Sequence, residues 1–200
     1  MRRKHCEITD PREIEGILAS TNVGRLATNG VDGYPYVTPV NFVYHQAKIY
    51  FHCAKKGEKL DNMARDPKVC FEVDIPLAYL DAGANPDGGS CKLHQLYHCV
   101  IIRGQSRIVP NGPLKVAALN ALVAKHEKGS DHELVNDEMP AYKACEVVEI
   151  TPAYISAKSD LARNKSHEER FALARYLKNR SWPGDFEAVK AIGFDPNDLD

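Results

Sequence analysis

Apolar residues first recur along the chain with helical spacing. Ile14, Ile17 and Leu18 follow Thr9-Asp10-Pro11 at i, i+3 and i+4, which predicts a short helix with Thr9 or Asp10 as its cap and Pro11 in its first turn. The period then falls to two. Val23–Thr28 reads as a strand, Asn29–Gly33 as a turn, and Tyr34–Tyr44 as one longer strand. Pro35 and Pro39 cannot donate ladder hydrogen bonds, so that strand lies at an edge, a bulge or an opening of its sheet. His45-Gln46-Ala47 turns the chain into Lys48–Cys53.

Lys55–Arg65 reads as a short helix with Leu60 and Met63 inward, stopped by Asp66-Pro67. Val69–Asp74 is a strand with Glu72 and Asp74 outward. Leu77–Leu96 has no core-forming pattern and is glycine-rich, so it reads as a lid, a binding loop or disorder. Tyr97–Val109 returns to strand character, Pro113 to about Lys128 reads as a helix, and Ala144–Ala157 as a further strand. His167–Leu177 is a final helix, followed by a polar tail that holds Trp182, the chain's only tryptophan.

About six strands, mostly consecutive, with three or four helices outside them, predict a mainly β fold with peripheral helices. The first three strands have no helix between them, which disfavours parallel βαβ units. An antiparallel barrel covers the exposed edges more economically.

Composition narrows the chemistry. The chain has 200 residues, 44% of them hydrophobic, and a formal net charge of -1. This suits a core that holds without staples and argues against general nucleic-acid binding. Arg2, Arg3 and Lys4 make a basic start with no apolar segment behind it, and no apolar run approaches a membrane span. A cytoplasmic protein with no membrane partner and reduced thiols is expected from these features.

The chemistry-bearing stretch is Phe51–Leu60, where a strand end hands over to a helix start. Free backbone N–H groups and the helix dipole favour an anion there. Lys55, Lys56 and Lys59 add positive charge, and Gly57 allows close approach. A terminal phosphate monoester fits this combination, and a solvated lysine cluster fits it equally. No Walker sequence and no Gly-x-Gly-x-x-Gly turn occurs. On Val37–Phe42, Thr38 and Asn41 offer hydrogen bonds to the polar edge of a flat ring, and Pro39 leaves a carbonyl unpaired. The bland alternative is an ordinary strand with a bulge at Pro39.

Cys91, His94, His98 and Cys99 carry atoms that suit zinc, but their spacing is not that of a finger. The simpler reading places His98 and Cys99 alternately across a strand. His98 facing a bound cofactor is a further option. Cys53 and His52 point to opposite faces of a strand and do not form a catalytic pair.

These strings, taken together, resemble the pyridoxamine 5'-phosphate oxidase-like, FMN-binding split-barrel superfamily, in its branch of nitroimidazole-resistance and flavin-nucleotide-binding proteins. The resemblance is carried by Arg2-Arg3-Lys4 with Glu7–Asp10, Gly24–Thr28, Gly33–Phe42, Ile49–Ala54, Gly57-Glu58-Lys59, Val69–Asp74 and Val100–Gly104. It implies an antiparallel split β-barrel over residues 1–158, with 159–200 as a helical C-terminal extension. It further implies a homodimer with FMN at the subunit interface.

In that arrangement Thr38, Pro39, Val40 and Asn41 contact the ring. The stretch from His52, Cys53 and Ala54 to Lys55, Lys56 and Lys59 holds ribityl and phosphate. Glu72, His98, Cys99 and Val100 complete the cleft. His52 is the candidate catalytic residue. A flavin-dependent oxidoreductase follows, nitroreductase-like, with a small-molecule substrate and an electron donor such as NAD(P)H. The alternative is a non-catalytic FMN-binding or electron-shuttling module. The pattern that contacts pyridoxal phosphate is absent near the C-terminus, so oxidation of pyridoxamine phosphate itself is not expected.

Overall fold

The computed structural model describes residues 3–85, 92–127, 129 and 131–199. Within them are strands β1 (Glu7–Ile8), β2 (Val23–Asn29), β3 (Pro35–Asn41), β4 (Val43–His45), β5 (Lys48–Ala54), β6 (Lys68–Leu80), β7 (His94–Ile108) and β8 (Cys145–Asp160). The helices are α1 (Pro11–Ser20), α2 (Glu58–Arg65), α3 (Pro113–His126), α4 (Pro140–Ala144), α5 (His167–Arg180) and α6 (Asp185–Ile192). The strands hydrogen-bond in the order β3-β2-β6-β7-β8-β5-β4, with β1 added against β8. β2 pairs antiparallel with β3 and β6, and β5 with β4 and β8. The pairing path is open, ending at β3 and β4: the barrel is split, not closed.

Compactness divides the chain into two units. The larger comprises Asp10–Val73 and Val100–Ser156; the smaller comprises Met1–Thr9, Asp74–Cys99 and Ala157–Asp200.

In the larger unit, α1 starts where the sequence places it. Asp10 caps it by accepting the Arg12 N–H at 2.9 Å, and Ile17 and Leu18 are buried. The single strand expected over Tyr34–Tyr44 is instead two strands. Phe42 and Val43 are both buried, and adjacent residues of one strand cannot share a face, so the chain leaves β2 at Phe42 and pairs with β5 as β4. Pro35 and Pro39 lie on β3, which ends the pairing path, where a missing N–H costs least. Gly24 on β2 makes room for the Phe71 ring, which would stand 2.1 Å from a Cβ there. Phe71 in turn meets Phe42 edge-on at 4.9 Å between centroids.

β4 and β5 are joined through Gln46 and Ala47, both with positive φ (50° and 60°), as a two-residue hairpin turn demands. The helix expected from Lys55 begins later, at Glu58, with Gly57 as its N-cap. Gly57 has φ of 140°, a conformation that non-glycine residues avoid, and it ends the extended chain before the helix starts. Val43, Tyr50, Leu119, Leu122, Tyr142 and Val147 are prominent in this unit's core.

In the smaller unit the segment expected to be a loop, Leu77–Leu96, is strand at both of its ends. β6 runs on to Leu80 and β7 begins at His94; Ala78, Leu80 and Leu96 are fully buried. Asp81 caps a short 3-10 turn over Ala82–Ala84. The Pro86–Cys91 part of the expected loop lies outside the described residues. The tail expected to be polar forms α6, whose Ala188, Val189 and Ile192 join Leu173, Leu177 and Leu199 in this unit's core. α5 begins with a capping box between Ser166 and Glu169.

Candidate functional site

In the larger unit β3 and β5 carry most of the residues singled out in the sequence. Leu26 faces Thr38, Arg25 faces Pro39, Gly24 faces Val40 and Val23 faces Asn41. Thr38 and Val40 are half-buried, whereas Pro39 and Asn41 are exposed. On β5, His52 pairs with Val147, Cys53 with Glu146 and Ala54 with Cys145. Burial pushes the Cys53 thiol up, an effect that the nearby Lys59 charge partly offsets. Cys53 is therefore a neutral thiol and a poor nucleophile.

The chain leaves β5 through Lys55 and Lys56, both exposed, and enters α2 at Gly57. Among the described residues no side chain caps α2, and a Cβ on Gly57 would meet only open space. Lys59, in the first turn, is half-buried. Glu58 and Asp61 share that turn, so three lysines and two carboxylates lie within a few residues of this helix start. This donor set fits a phosphate monoester: the N–H groups that open a helix, its positive dipole end and three lysines belong to one short segment.

Asn41, His52, Cys53 and Ala54 also line one cavity of about 620 Å³. Its other walls come from α3, through Leu119, Leu122, Val123 and His126, and from Val135, Met139, Ala141, Tyr142, Ala144 and Cys145. The structure thus joins the two stretches of the sequence reading, Thr38–Asn41 and His52–Lys59, at one end. The sequence reading missed His126. The signal is present: His126 lies seven residues after Leu119 and four after Leu122, on the buried stripe of α3.

The remaining residues are placed as follows. Glu72 of β6 pairs with Arg25 of β2 at 3.3 Å. Val100 is fully buried in the larger unit. His98 and Cys99 belong to the smaller unit, where the His98 Nδ1 stands 2.5 Å from the buried Ser159 hydroxyl. Of the four zinc-suited residues, Cys91 lies outside the described residues, and the His94 Nδ1 bonds the Lys92 carbonyl oxygen at 2.9 Å.

Residues 10–159 match the family model described as pyridoxamine 5'-phosphate oxidase, three quarters of the chain. The chain belongs to this family. No curated protein sequence matches it. Three of the solved structures to which it is similar span 15% to 22% identity. One is a provisionally assigned 5-nitroimidazole antibiotic resistance protein from Bacteroides thetaiotaomicron, with 22% identity, a TM-score of 0.64, and 76% of this chain and 86% of that chain covered. Another is a flavocytochrome from Azotobacter vinelandii, with 18% identity, a TM-score of 0.65, and 92% and 80% covered. The third is an FAD and heme binding protein from Mycobacterium smegmatis, with 15% identity, a TM-score of 0.67, and 89% and 82% covered. At these identities the likeness speaks for the fold. Among the described residues no helix is long and apolar enough to cross a membrane.

Proposed function

We propose that the chain is a flavin-dependent oxidoreductase that binds FMN, with the phosphate at the start of α2 and the ring along β3. The observation that carries this reading is the uncapped N-terminus of α2, set between Lys55, Lys56 and Lys59 and reached directly from His52–Ala54. Family membership and the flavin named for two of the structural relatives support it.

When bound, the flavin supplies the electron transfer that side chains cannot perform. The protein's part is binding, orientation and proton handling. Lys55, Lys56 and Lys59 balance the phosphate charge. Thr38 and Asn41 offer hydrogen bonds to the ring's polar edge, and His52, exposed on β5 at the cavity, is placed to pass a proton to a reduced substrate. A nitroaromatic compound is the substrate class suggested by the Bacteroides relative, with NAD(P)H or a second flavoprotein as electron source.

We also propose a homodimer. β3 ends the pairing path, and Tyr34 and Val37 stand 75% and 56% exposed at that end. Exposed apolar residues on a terminal strand invite a second chain.

The visible spectrum of the purified protein, mixed anaerobically with NADH or NADPH and then with a nitroaromatic compound, tests the activity. Bleaching of a flavin band followed by substrate-dependent reoxidation is expected. Reduction by dithionite alone would make the protein an electron carrier, and failure to take up added FMN would overturn the reading.

A further inference from the structure

The smaller unit has a cavity of its own, of about 140 Å³, lined by Arg3, Cys6, Tyr97 and Lys158. Arg3 and Cys6 precede β1, Tyr97 lies on β7 and Lys158 on β8, and β8 pairs with both β1 and β7. Three of the four side chains carry donors that the fold leaves unused. The Lys158 ammonium and the Tyr97 hydroxyl have no hydrogen-bond or ion-pair partner among the described residues. Glu7 stands opposite Lys158 in the ladder without pairing with its ammonium. Both Tyr97 and Lys158 are half-buried, and neither polar atom is sealed from solvent. Arg3 donates from Nη1 to Asp160 at 3.4 Å, and the rest of its guanidinium has no partner among the described residues.

The walls set the charge and the size of the ligand. No carboxylate is among the lining side chains. Around them, the charges of Arg3, Lys158 and Arg163 all reach the Cys6 thiol, and that of Asp160 opposes them. With Glu7 included, three cations stand against two carboxylates, so the surroundings are positive. Burial, then Asp160, pushes the Cys6 thiol up, so it adds no negative charge. Burial, then Asp160, likewise pushes Tyr97 up, and its hydroxyl keeps the proton it would donate. The volume falls well below the roughly 300 Å³ at which sites for whole small molecules begin. It leaves room for one compact ion or end group, and none for a ring system. Donors on separate elements suit a group whose oxygens point in several directions, as those of a tetrahedral oxyanion do.

We propose that this cavity binds one phosphate group, as the free ion or as the end of a phosphate ester, which accepts from Arg3, Tyr97 and Lys158. The site is separate from the start of α2, which belongs to the larger unit. It stands whether or not the chain binds a flavin.

Titration with inorganic phosphate, followed by calorimetry or NMR, tests the claim. It is run on the full chain and on the Lys56→Ala/Lys59→Ala double variant, in which the start of α2 no longer competes for the anion. Saturable binding with a Kd of about 1 mM or tighter is expected in both. Lys158→Met keeps the aliphatic stem and Tyr97→Phe keeps the ring, so both should fold with an unchanged circular dichroism spectrum. In the double-variant background each should weaken phosphate binding about tenfold or more, the worth of one charge-assisted hydrogen bond. Acetate, planar and with two oxygens, should bind about tenfold more weakly than phosphate. Phenyl phosphate separates the two sources, and either result supports the site: binding as tight as that of phosphate assigns it to the end of an ester, and exclusion assigns it to the free ion. No binding in the double variant, a Kd unchanged by either Lys158→Met or Tyr97→Phe, or acetate binding as tightly as phosphate would each overturn the proposal.

Discussion

Glu149 shows how one charge is held inside a small barrel. Its side chain is 1% exposed, yet Arg107 donates twice to it, at 2.7 and 3.0 Å, Lys48 stands at 3.0 Å and the Tyr50 hydroxyl at 2.9 Å. The Arg107 hydrogen bond leads the causes that bring its carboxyl down to about 2, and burial only partly opposes them. Burial first, then the bond to Glu149, pushes Tyr50 up to about 12. The folded carboxyl is more acidic than the unfolded one. Its contribution is therefore complete above about pH 4.5 and is lost as pH falls toward 2. The difference in acidity between the two states corresponds to roughly 3 kcal/mol. Chemical denaturation between pH 6 and 2 should show this loss in the native chain and not in Glu149→Gln, which starts out less stable; equal pH profiles would contradict the assignment. Nothing in the local sequence announces this cluster, because its members come from β5, β7 and β8 and meet only through strand pairing.

The elements were legible in proportion to how local their signals are. The α1 cap, the β3 prolines and the hairpin at Gln46-Ala47 sit within a few residues of the structure they dictate. The ends of β6 and β7 do not. Ala78, Leu80 and Leu96 flank the glycine-rich stretch, and their burial depends on α5 and α6, far along the chain. The C-terminal tail departs from its expectation for the same reason: α6 carries charged residues between its buried positions, and its first residue is tied to one residue of α5. The Arg180 guanidinium donates to Asp185 at 2.6 and 3.0 Å and to the Tyr79 carbonyl at 2.9 Å, pairs with Asp81 at 3.2 Å, and lies over the Trp182 ring at 4.2 Å. Asp185 is fully buried, so removing Arg180 strands a carboxylate. Arg180→Ala should cost roughly 3 kcal/mol in equilibrium unfolding. Arg180→Lys should recover only part of it, because an ammonium lacks the planar fork. A cost below about 0.5 kcal/mol would deny the clamp its role.

For the molecule as a whole, the split barrel and the family were readable because many short strings recur in one order, although none is decisive alone. The site was half readable. His52–Lys59 is contiguous, and its helix start is visible as a glycine among lysines. The cavity that joins it to Asn41 and His126 is a product of packing by α3 and the Val135–Cys145 segment, which sequence periodicity treats only as core. Assembly is expected to complete the site. Sedimentation should find a dimer, and Val37→Glu on β3 should give a monomer that has lost FMN; a monomer with FMN still bound would contradict the interface.

The central claim is that the start of α2 holds a phosphate. It is tested most directly by replacing Lys56 and Lys59 together with alanine and comparing FMN with riboflavin, which has the same ring and no phosphate. Each lost charge-assisted hydrogen bond is worth about 1.5–3 kcal/mol, so FMN binding should weaken by a hundredfold or more while riboflavin binding changes less than about threefold. Equal weakening of both ligands, or no weakening of FMN, would place the phosphate elsewhere.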